Sequence, residues 1–173
     1  GDLFRIAEWY GWTGKANQGL RLLATEVAEG IVEREIALGI YNRVQAGPAD
    51  NSIWDVDNGK SIAADMAKPV KLERKRFKGV QWLRSDKSKG SRKAGWKQIR
   101  QALKDALPQT MKDEQGNVVI VPREKPGLYA FNTCKMFVEL FPIAPRDETD
   151  PDDIDTDSDD PIADEVRYKV LSN

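Results

Sequence analysis

The sequence predicts an α/β domain, because short apolar runs of β-type composition alternate with amphipathic helical segments along the chain. The chain has 173 residues, of which 40% are hydrophobic. That length is enough for one domain with a hydrophobic core and is short for two domains of typical size. We therefore expect a single domain over residues 1–173.

Residues 2–12 open the chain with apolar and aromatic side chains on both alternating faces. This pattern is typical of a central strand that is covered on both sides. After a polar turn, residues 20–39 predict a short lead-in segment followed by a helix. Thr25 is a suitable N-cap for this helix, and Gly39 is a suitable C-terminal stop.

Residues 42–46 predict a short strand, which Gly47 and Pro48 terminate. Asp50 then stands at or just beyond the carboxyl end of that strand, where ligand sites collect in open α/β sheets. A short helix and a third strand follow, at residues 61–68 and 80–83.

The next segment predicts a strongly amphipathic helix after a basic loop, with Trp96 on its inward side. Residues 117–121 and 127–131 predict a hairpin with a longer loop. Asn132 or Thr133 is then placed to cap another helix.

A final helix follows the acidic run DETDPDDIDTDSDDP. Asp160 is the expected N-cap and Pro161 the first helical residue, which places Asp164 in the first turn. The inward positions of this helix are Ile162, Val166 and Val170. The acidic stretch at 147–160 has too little apolar area to fold alone, so we expect a loop there, or order imposed by cations or a partner.

Charge is divided unevenly along the chain. Residues 147–165 hold 11 Asp and Glu and no Lys or Arg, whereas residues 1–146 hold 25 Lys and Arg against 17 acids, a net charge of +8. A basic body with an acidic patch suggests a polyanionic partner on one surface and cation binding on another.

Several classes of protein are excluded or disfavoured. The chain has no histidine, which excludes an imidazole base and a Cys/His zinc site. Its single cysteine, Cys134, has core-like neighbours and can form no internal disulfide, which indicates a reducing, intracellular setting. No apolar run approaches the roughly 20 residues of a membrane helix. A GxxxxGK(S/T) phosphate loop is absent because Trp54 occupies its first glycine position.

Basic residues concentrate between positions 68 and 104, where 14 Lys and Arg face two acids, with Trp82 and Trp96 interleaved. Such a stripe fits a surface that neutralises DNA phosphates without reading the base sequence. It fits equally a solvated helix face with a mobile loop.

Asp50 and Asp164 form a candidate carboxylate pair. Two-metal phosphodiester hydrolysis needs acidic oxygens that converge on Mg²⁺ or Mn²⁺ ions about 4 Å apart. One acid at a strand end and one in a first helical turn can supply them. By spacing alone this is one pair among 28 Asp and Glu residues, so ordinary surface acids are the simpler interpretation.

The terminal DDPIADEVRY resembles the DHxxDxxRY signature of the large terminase subunits of tailed bacteriophages, at the end of their nuclease domain. Other segments follow in the matching order: IAEWYGW to EVAEGIVERE, RVQAGPAD, LRSDKSKGSRKAGWKQIRQAL and EKPGLYAFNTCKMFVELFP. The resemblance covers nearly the whole chain, and the shared order makes it stronger than any single motif.

The resemblance implies a ribonuclease-H-like α/β fold with a central mixed sheet flanked by helices, lacking the N-terminal hairpin. It implies an endonuclease that cuts concatemeric double-stranded DNA during packaging, with Mg²⁺ or Mn²⁺ as cofactor. Asp50 and Asp164 would be metal-binding catalytic acids, and Asp160 a further metal ligand. The implied DNA-binding residues are Lys87, Lys89, Arg92, Lys93, Lys97 and Arg100.

The same resemblance implies partners and a location. The partners are double-stranded DNA, the small terminase subunit, the portal and the ATPase domain of a longer parent chain. The implied location is the cytoplasm of the bacterial host, with no membrane association.

Three features depart from the family pattern. The family's first acid lies on a hairpin before the strand near Leu3, and Asp2 does not match it. Pro161 stands in place of the signature histidine, and residues 68–79 look like an insertion. We therefore expect weak or no cleavage by this chain alone.

Two other functions fit the same residues. A catalytically inactive domain of the same fold would bind DNA or dock on the portal. A purely structural protein would use its acidic segment to dock a basic partner, and its DNA binding would be absent or insensitive to salt.

Overall fold

The computed structural model describes residues 1–11, 13, 18–150, 153–154 and 161–172, with Pro161 described by its backbone only. The described residues form helices and small sheets in a mixed α/β arrangement with no barrel, which confirms the α/β class. The chain divides into two compact units: the first unit is Gly1–Glu8 with Asp86–Asn173, and the second unit is Trp9–Ser85. The single domain over 1–173 stays a prediction.

The described residues contain eight strands and five α-helices. The strands are β1 (Leu3–Arg5), β2 (Gly47–Ala49), β3 (Val70–Leu72), β4 (Lys75–Phe77), β5 (Trp82–Arg84), β6 (Gln109–Lys112), β7 (Val118–Val121) and β8 (Leu128–Ala130). The helices are α1 (Ala24–Ala37), α2 (Ile62–Met66), α3 (Ser91–Ala106), α4 (Lys135–Leu140) and α5 (Pro161–Leu171). Short 3-10 helices lie at Tyr41–Arg43, Asn51–Trp54 and Phe141–Ile143.

The described strands pair two by two. β1 runs parallel to β8 and β2 runs parallel to β5, whereas β3–β4 and β6–β7 are antiparallel pairs. In the β2–β5 pair, Gly47 lies opposite Trp82 and Ala49 lies opposite Arg84. A parallel pair brings the carboxyl ends of both strands to one edge, so the residues that follow the two strands meet there.

The predicted hairpin between residues 117–121 and 127–131 is wrong. β7 pairs with β6 instead, because the Asp113 carboxylate closes a tight turn between them by accepting from the N–H groups two and four residues further on, at 2.9 and 2.8 Å. β8 pairs with β1, and the Gly127 N–H just before β8 donates to the Asp2 carboxylate at 2.7 Å.

Two predicted strands also differ from the observed ones. Of residues 2–11, the described part of this predicted strand, only Leu3–Arg5 forms a strand. Residues 42–46 contain part of a 3-10 helix, and the strand begins at Gly47 with Pro48 inside it. Proline has no N–H to donate, but β2 pairs with β5 alone, and an edge position tolerates that loss.

The ends of α1 are only partly as predicted. Leu23 rather than Thr25 precedes the helix, and the Glu26 carboxylate accepts from the Leu23 N–H at 2.6 Å. A glutamate three residues into the helix therefore does the capping that Thr25 was expected to do. At the other end, Gly39 adopts a φ of +67°, which confirms it as the C-terminal stop.

The start of α4 depends on a remote carboxylate. Cys134 precedes the helix and makes no side-chain cap. Two N–H groups of the first turn instead donate to Glu8, at 2.6 and 3.1 Å. The predicted caps Asn132 and Thr133 are therefore wrong, because a side chain from the other end of the chain satisfies these donors.

The core of the second unit lies along one face of α1. Ala28 and Val32 are buried there against Met66 and Val70. Trp9 covers the same helix, and the Arg34 guanidinium stacks 3.8 Å from the centre of its ring. Trp9 was expected in a strand, and it packs on this helix instead.

The core of the first unit includes the contact between α3 and α5. Trp96 of α3 is buried, and the three predicted inward residues of α5 are buried too: Ile162, Val166 and Val170. The helices approach closely at Gly95, where a Cβ atom would lie 2.6 Å from Cγ of Arg167 and 3.2 Å from Cδ1 of Leu171. Glycine is therefore required for this packing.

Replacing Gly95 by alanine tests that contact. The methyl group improves helix propensity by about 1 kcal/mol but pushes against the stem of a buried arginine, and overpacking of this kind costs about 1–3 kcal/mol. We expect a net loss in the free energy of unfolding, measured in urea. Gln98→Ala, on the exposed side of the same helix, should stay within about 0.5 kcal/mol of the wild type. A Gly95→Ala protein as stable as that control would contradict the close packing.

Asp2→Asn should destabilise the first unit in a pH-dependent way. Hydrogen bonds from Arg123 and then from the Gly127 N–H hold the pKa of Asp2 below its ordinary value of 3.8. The ionised carboxylate therefore stabilises the folded state above about pH 4, and this contribution is lost as pH falls through the folded-state pKa.

Urea unfolding at several pH values measures this effect. We expect Asp2→Asn to be less stable than the wild type at pH 7, with the difference shrinking towards pH 3. Glu124→Gln removes an exposed carboxylate from the same loop and should show no such trend. A constant difference across this range would rule out the proposed linkage.

Candidate functional site

Asp50 follows β2 directly, as predicted, and so lies at the carboxyl edge of the parallel β2–β5 pair. Its carboxylate accepts a hydrogen bond from the Ser52 N–H at 2.9 Å and thereby caps the 3-10 helix Asn51–Trp54. Ser85, the residue after β5, reaches the same edge, because its N–H donates to the Ala49 carbonyl at 3.1 Å.

Asn51 and Ser85 contribute two further side-chain oxygens at this edge. The Asn51 side-chain N–H donates to the Ser85 carbonyl at 3.4 Å. The Asn51 Oδ1 and the Ser85 Oγ are both buried and have no hydrogen-bond partner in the described part of the chain. A buried polar atom without a partner costs about 1–3 kcal/mol. Hard divalent cations such as Mg²⁺ and Mn²⁺ prefer carboxylate, carbonyl and hydroxyl oxygens of this kind, so the donor chemistry fits the implied metal.

Asp164 lies in the first turn of α5, as predicted, and its carboxylate is already hydrogen-bonded within the helix. Arg167 donates to Oδ1 from Nε at 3.1 Å and from Nη2 at 2.8 Å, and the Tyr168 hydroxyl donates to Oδ2 at 3.2 Å. Arg167 is only 3% exposed, whereas the Asp164 side chain is 41% exposed. The Asp164 carboxylate is thus held in one orientation, and Arg167 partly neutralises its charge.

Asp50 belongs to the second unit and Asp164 to the first. Asp160, the further predicted metal ligand, lies outside the described residues. Among the residues that are described, no three or more His, Cys, Asp or Glu form a group able to hold a metal ion. The three predicted acids therefore remain predictions as a set.

The predicted DNA-binding residues all lie in the first unit, either on α3 or in the few residues that precede it. Lys89 and Lys97 are exposed, and the Lys87 ammonium stands 5.3 Å from the centre of the Tyr168 ring. Two others of the set, Arg92 and Lys93, form ion pairs with Asp153 and Asp150. The complete set is Lys87, Lys89, Arg92, Lys93, Lys97 and Arg100.

A cleft of about 490 Å³ lies at the opposite, amino end of the β2–β5 pair. Gly47 and Trp82, the first residues of the two strands, line it together with Tyr41 and Glu35. Burial raises the pKa of Glu35. Asp50 does not line this cleft, so the predicted site is an edge of the strand pair and not this concave surface.

Several residues of the candidate site escaped sequence reasoning. Asn51 belongs to no motif, and Ser85 lies in the terminase-like segment LRSDKSKGSRKAGWKQIRQAL but was given no role there. Only their positions, directly after Asp50 and directly after a strand, could have singled them out. Arg167 belongs to the terminase-like signature DDPIADEVRY. Its burial and its hydrogen bonds to Asp164 follow from the packing of α5 against α3, which the sequence does not show.

No protein family, no curated protein and no solved structure matches this chain. Across the described residues, the helices are too short or too polar to cross a membrane.

Asp164→Asn should destabilise the protein, because it leaves the buried Arg167 without its anionic partner. The carboxylate is partly exposed, so we expect a loss of about 1–2 kcal/mol in the free energy of unfolding rather than the larger cost of a fully buried pair. The neighbouring Glu165 side chain is 57% exposed and pairs with Arg5 at 2.9 Å. Glu165→Gln should cost about 0.5 kcal/mol or less. Equal losses in urea unfolding would show that the Asp164–Arg167 contact has no special structural role.

Proposed function

We propose that this chain is the nuclease-like domain of a phage or prophage DNA-packaging terminase large subunit, with a ribonuclease-H-like fold. In this proposal it binds double-stranded DNA and takes part in metal-dependent phosphodiester cleavage. The main structural support is at the carboxyl edge of β2–β5, where Asp50 follows β2 and the Asn51 Oδ1 and Ser85 Oγ atoms are buried without a hydrogen-bond partner among the described residues. The order of the terminase-like segments is the support from sequence.

Asp50 would hold Mg²⁺ or Mn²⁺, with the Asn51 and Ser85 oxygens as neighbouring donors. By resemblance, Asp164 and Asp160 would be further metal-binding acids. A bound divalent ion supplies an activated water and stabilises the leaving oxygen of the phosphodiester. The chain's own part is to keep these oxygens oriented, and the Ser52 N–H does this for the Asp50 carboxylate.

DNA would be held by the cations on and before α3, of which Lys89 and Lys97 are exposed. Lysine and arginine contacts to phosphates release condensed counterions, so binding should be insensitive to base sequence and strongly weakened by salt. The small terminase subunit, the portal and an ATPase domain of a longer chain are proposed as partners by the same resemblance.

The second candidate is a catalytically inactive module of the same fold that binds DNA or docks on the portal. It is favoured by the state of Asp164, whose carboxylate is neutralised in part by Arg167 and bonded by Tyr168. A carboxylate committed to a buried arginine is a weaker metal ligand than an unpaired one, because binding a cation would compete with the ion pair.

Mn²⁺ binding and plasmid nicking test the proposal together. We expect calorimetry to show weak Mn²⁺ binding by the wild-type chain, reduced by more than about tenfold in Asp50→Asn and by roughly tenfold in Ser85→Ala. Asp57→Asn makes the same change of charge at an exposed position of the second unit and should bind like the wild type. Any nicking of supercoiled plasmid in Mn²⁺ should disappear in Asp50→Asn and Asp164→Asn, assayed well below their unfolding temperatures.

The outcomes separate the candidate functions. Mn²⁺ binding that is equally strong in Asp50→Asn would overturn the site assignment. DNA binding without Mn²⁺ binding or nicking would favour the inactive module. No salt-dependent DNA binding at all would overturn the nuclease proposal and the DNA-binding form of the inactive module, and would favour a structural protein.

A further inference from the structure

A short acidic segment, residues 146–154, lies against the first turn of α3. It is described at residues 146–150 and 153–154. Arg92 of α3 donates from Nε to Oδ1 of Asp153 at 2.6 Å and from Nη2 to the Ile154 carbonyl at 2.7 Å. The adjacent Lys93 forms an ion pair with Asp150. Two of the six proposed DNA-binding cations are therefore engaged by carboxylates of the same chain.

Described residues of the acidic segment are hydrogen-bonded to one another, which restrains the carboxylate of Asp147. The Asp147 carboxylate accepts from the Thr149 hydroxyl at 2.6 Å and from the N–H groups of Thr149 and Asp150 at 2.7 and 2.9 Å. These bonds, together with the charge of Arg92, lower the pKa of Asp147. The Asp153 N–H donates to the Asp150 carbonyl at 2.8 Å.

A phosphodiester and a carboxylate make the same kind of contact with arginine and lysine, namely charge-assisted N–H···O⁻ hydrogen bonds. DNA phosphates would therefore compete with Asp153 and Asp150 for Arg92 and Lys93. The side chains of both pairs are partly exposed, at 32% and 16% for Arg92 and Asp153 and at 58% and 35% for Lys93 and Asp150. Partly exposed pairs of this kind are weak enough for a competing polyanion to replace.

We propose that the acidic segment is an intramolecular phosphate mimic, which competes with DNA for the start of α3 and so holds down the DNA affinity of the chain. The inference rests on the proposed DNA-binding surface and adds a regulatory device to it. Exposed cations outside the contact, such as Lys89 and Lys97, would meet DNA first. Displacement of the acidic segment would then add Arg92 and Lys93 to the bound surface.

The test measures binding of a short double-stranded DNA of arbitrary sequence to the full chain by fluorescence anisotropy at several salt concentrations. Asp150→Asn combined with Asp153→Asn removes both competing charges and should raise affinity about tenfold at low salt. The slope of log K against log salt should steepen by roughly 2. In the wild type, the displaced carboxylates rebind cations and offset the counterions released at Arg92 and Lys93, whereas the variant lacks those carboxylates.

A matched control separates this mechanism from a general change of charge. Glu114→Gln combined with Glu124→Gln also removes two negative charges from exposed positions of the first unit. This control should change affinity less than about twofold. Adding Arg92→Ala and Lys93→Ala to the Asp150/Asp153 variant should abolish its gain.

The outcomes distinguish the two proposals. If the wild type binds DNA and the Asp150/Asp153 variant binds with the same affinity and slope, the mimic is wrong and the DNA surface stands. If neither protein binds at low salt, the proposed DNA-binding function fails, and the mimic fails with it.

Hydrogen exchange provides a measurement on the unmutated chain. The amides of Asp147 and Asp153 are hydrogen-bonded within the acidic segment, to carbonyls at 3.3 and 2.8 Å. DNA that displaces the segment should speed up their exchange, while the amides along α3 stay protected. Unchanged or slower exchange at both positions in saturating DNA would overturn the proposal.

Discussion

The first unit depends on one nearly buried charge, the guanidinium of Arg167. Gly95 on α3 leaves room for its aliphatic stem. On α5, the Asp164 carboxylate accepts hydrogen bonds from both the Arg167 guanidinium and the Tyr168 hydroxyl. A charge removed from water is tolerated only when it is paired and hydrogen-bonded. The contacts that allow α3 and α5 to pack therefore also fix the carboxylate that the terminase resemblance assigns to a metal ion. The Asp164 carboxylate would therefore have to serve both as the partner of Arg167 in the folded core and as a ligand in the proposed metal chemistry.

Asp50 is under a different constraint. Its carboxylate caps a short 3-10 helix, and the oxygens beside it, on Asn51 and Ser85, are buried without partners among the described residues. The carboxyl edge of β2–β5 thus supports the proposed metal chemistry, whereas the surroundings of Asp164 support a role in stability. This division separates the two candidate functions, because a two-metal nuclease needs both carboxylates and an inactive DNA-binding module needs neither.

Charge within the first unit shows why a net value describes the surface poorly. The chain has a formal net charge of −1, yet acidic and basic residues far apart in sequence meet at the start of α3. Asp153 neutralises Arg92 across 61 residues, and Asp150 pairs with Lys93. A DNA molecule would therefore meet a field that depends on the position of the acidic segment, and a change in that position alters the surface without any change in composition.

The sequence by itself determined the features whose signals lie close together along the chain. Apolar periodicity predicted α3 and α5, and Gly39 marked the end of α1. Asp50 does follow a strand, but that strand is Gly47–Ala49, formed by residues that were expected to end a strand at 42–46. Only the tertiary structure decided that β7 pairs with β6, that Glu8 caps α4, and that Arg92 meets Asp153. The last two contacts join residues that are far apart in sequence. Such contacts form only after a long stretch of chain has lost the entropy of loop closure, so no local sequence pattern predicts them. The β6–β7 pair is local, and the Asp113 carboxylate closes its turn, while β8 pairs with β1 and the Gly127 N–H before it donates to Asp2.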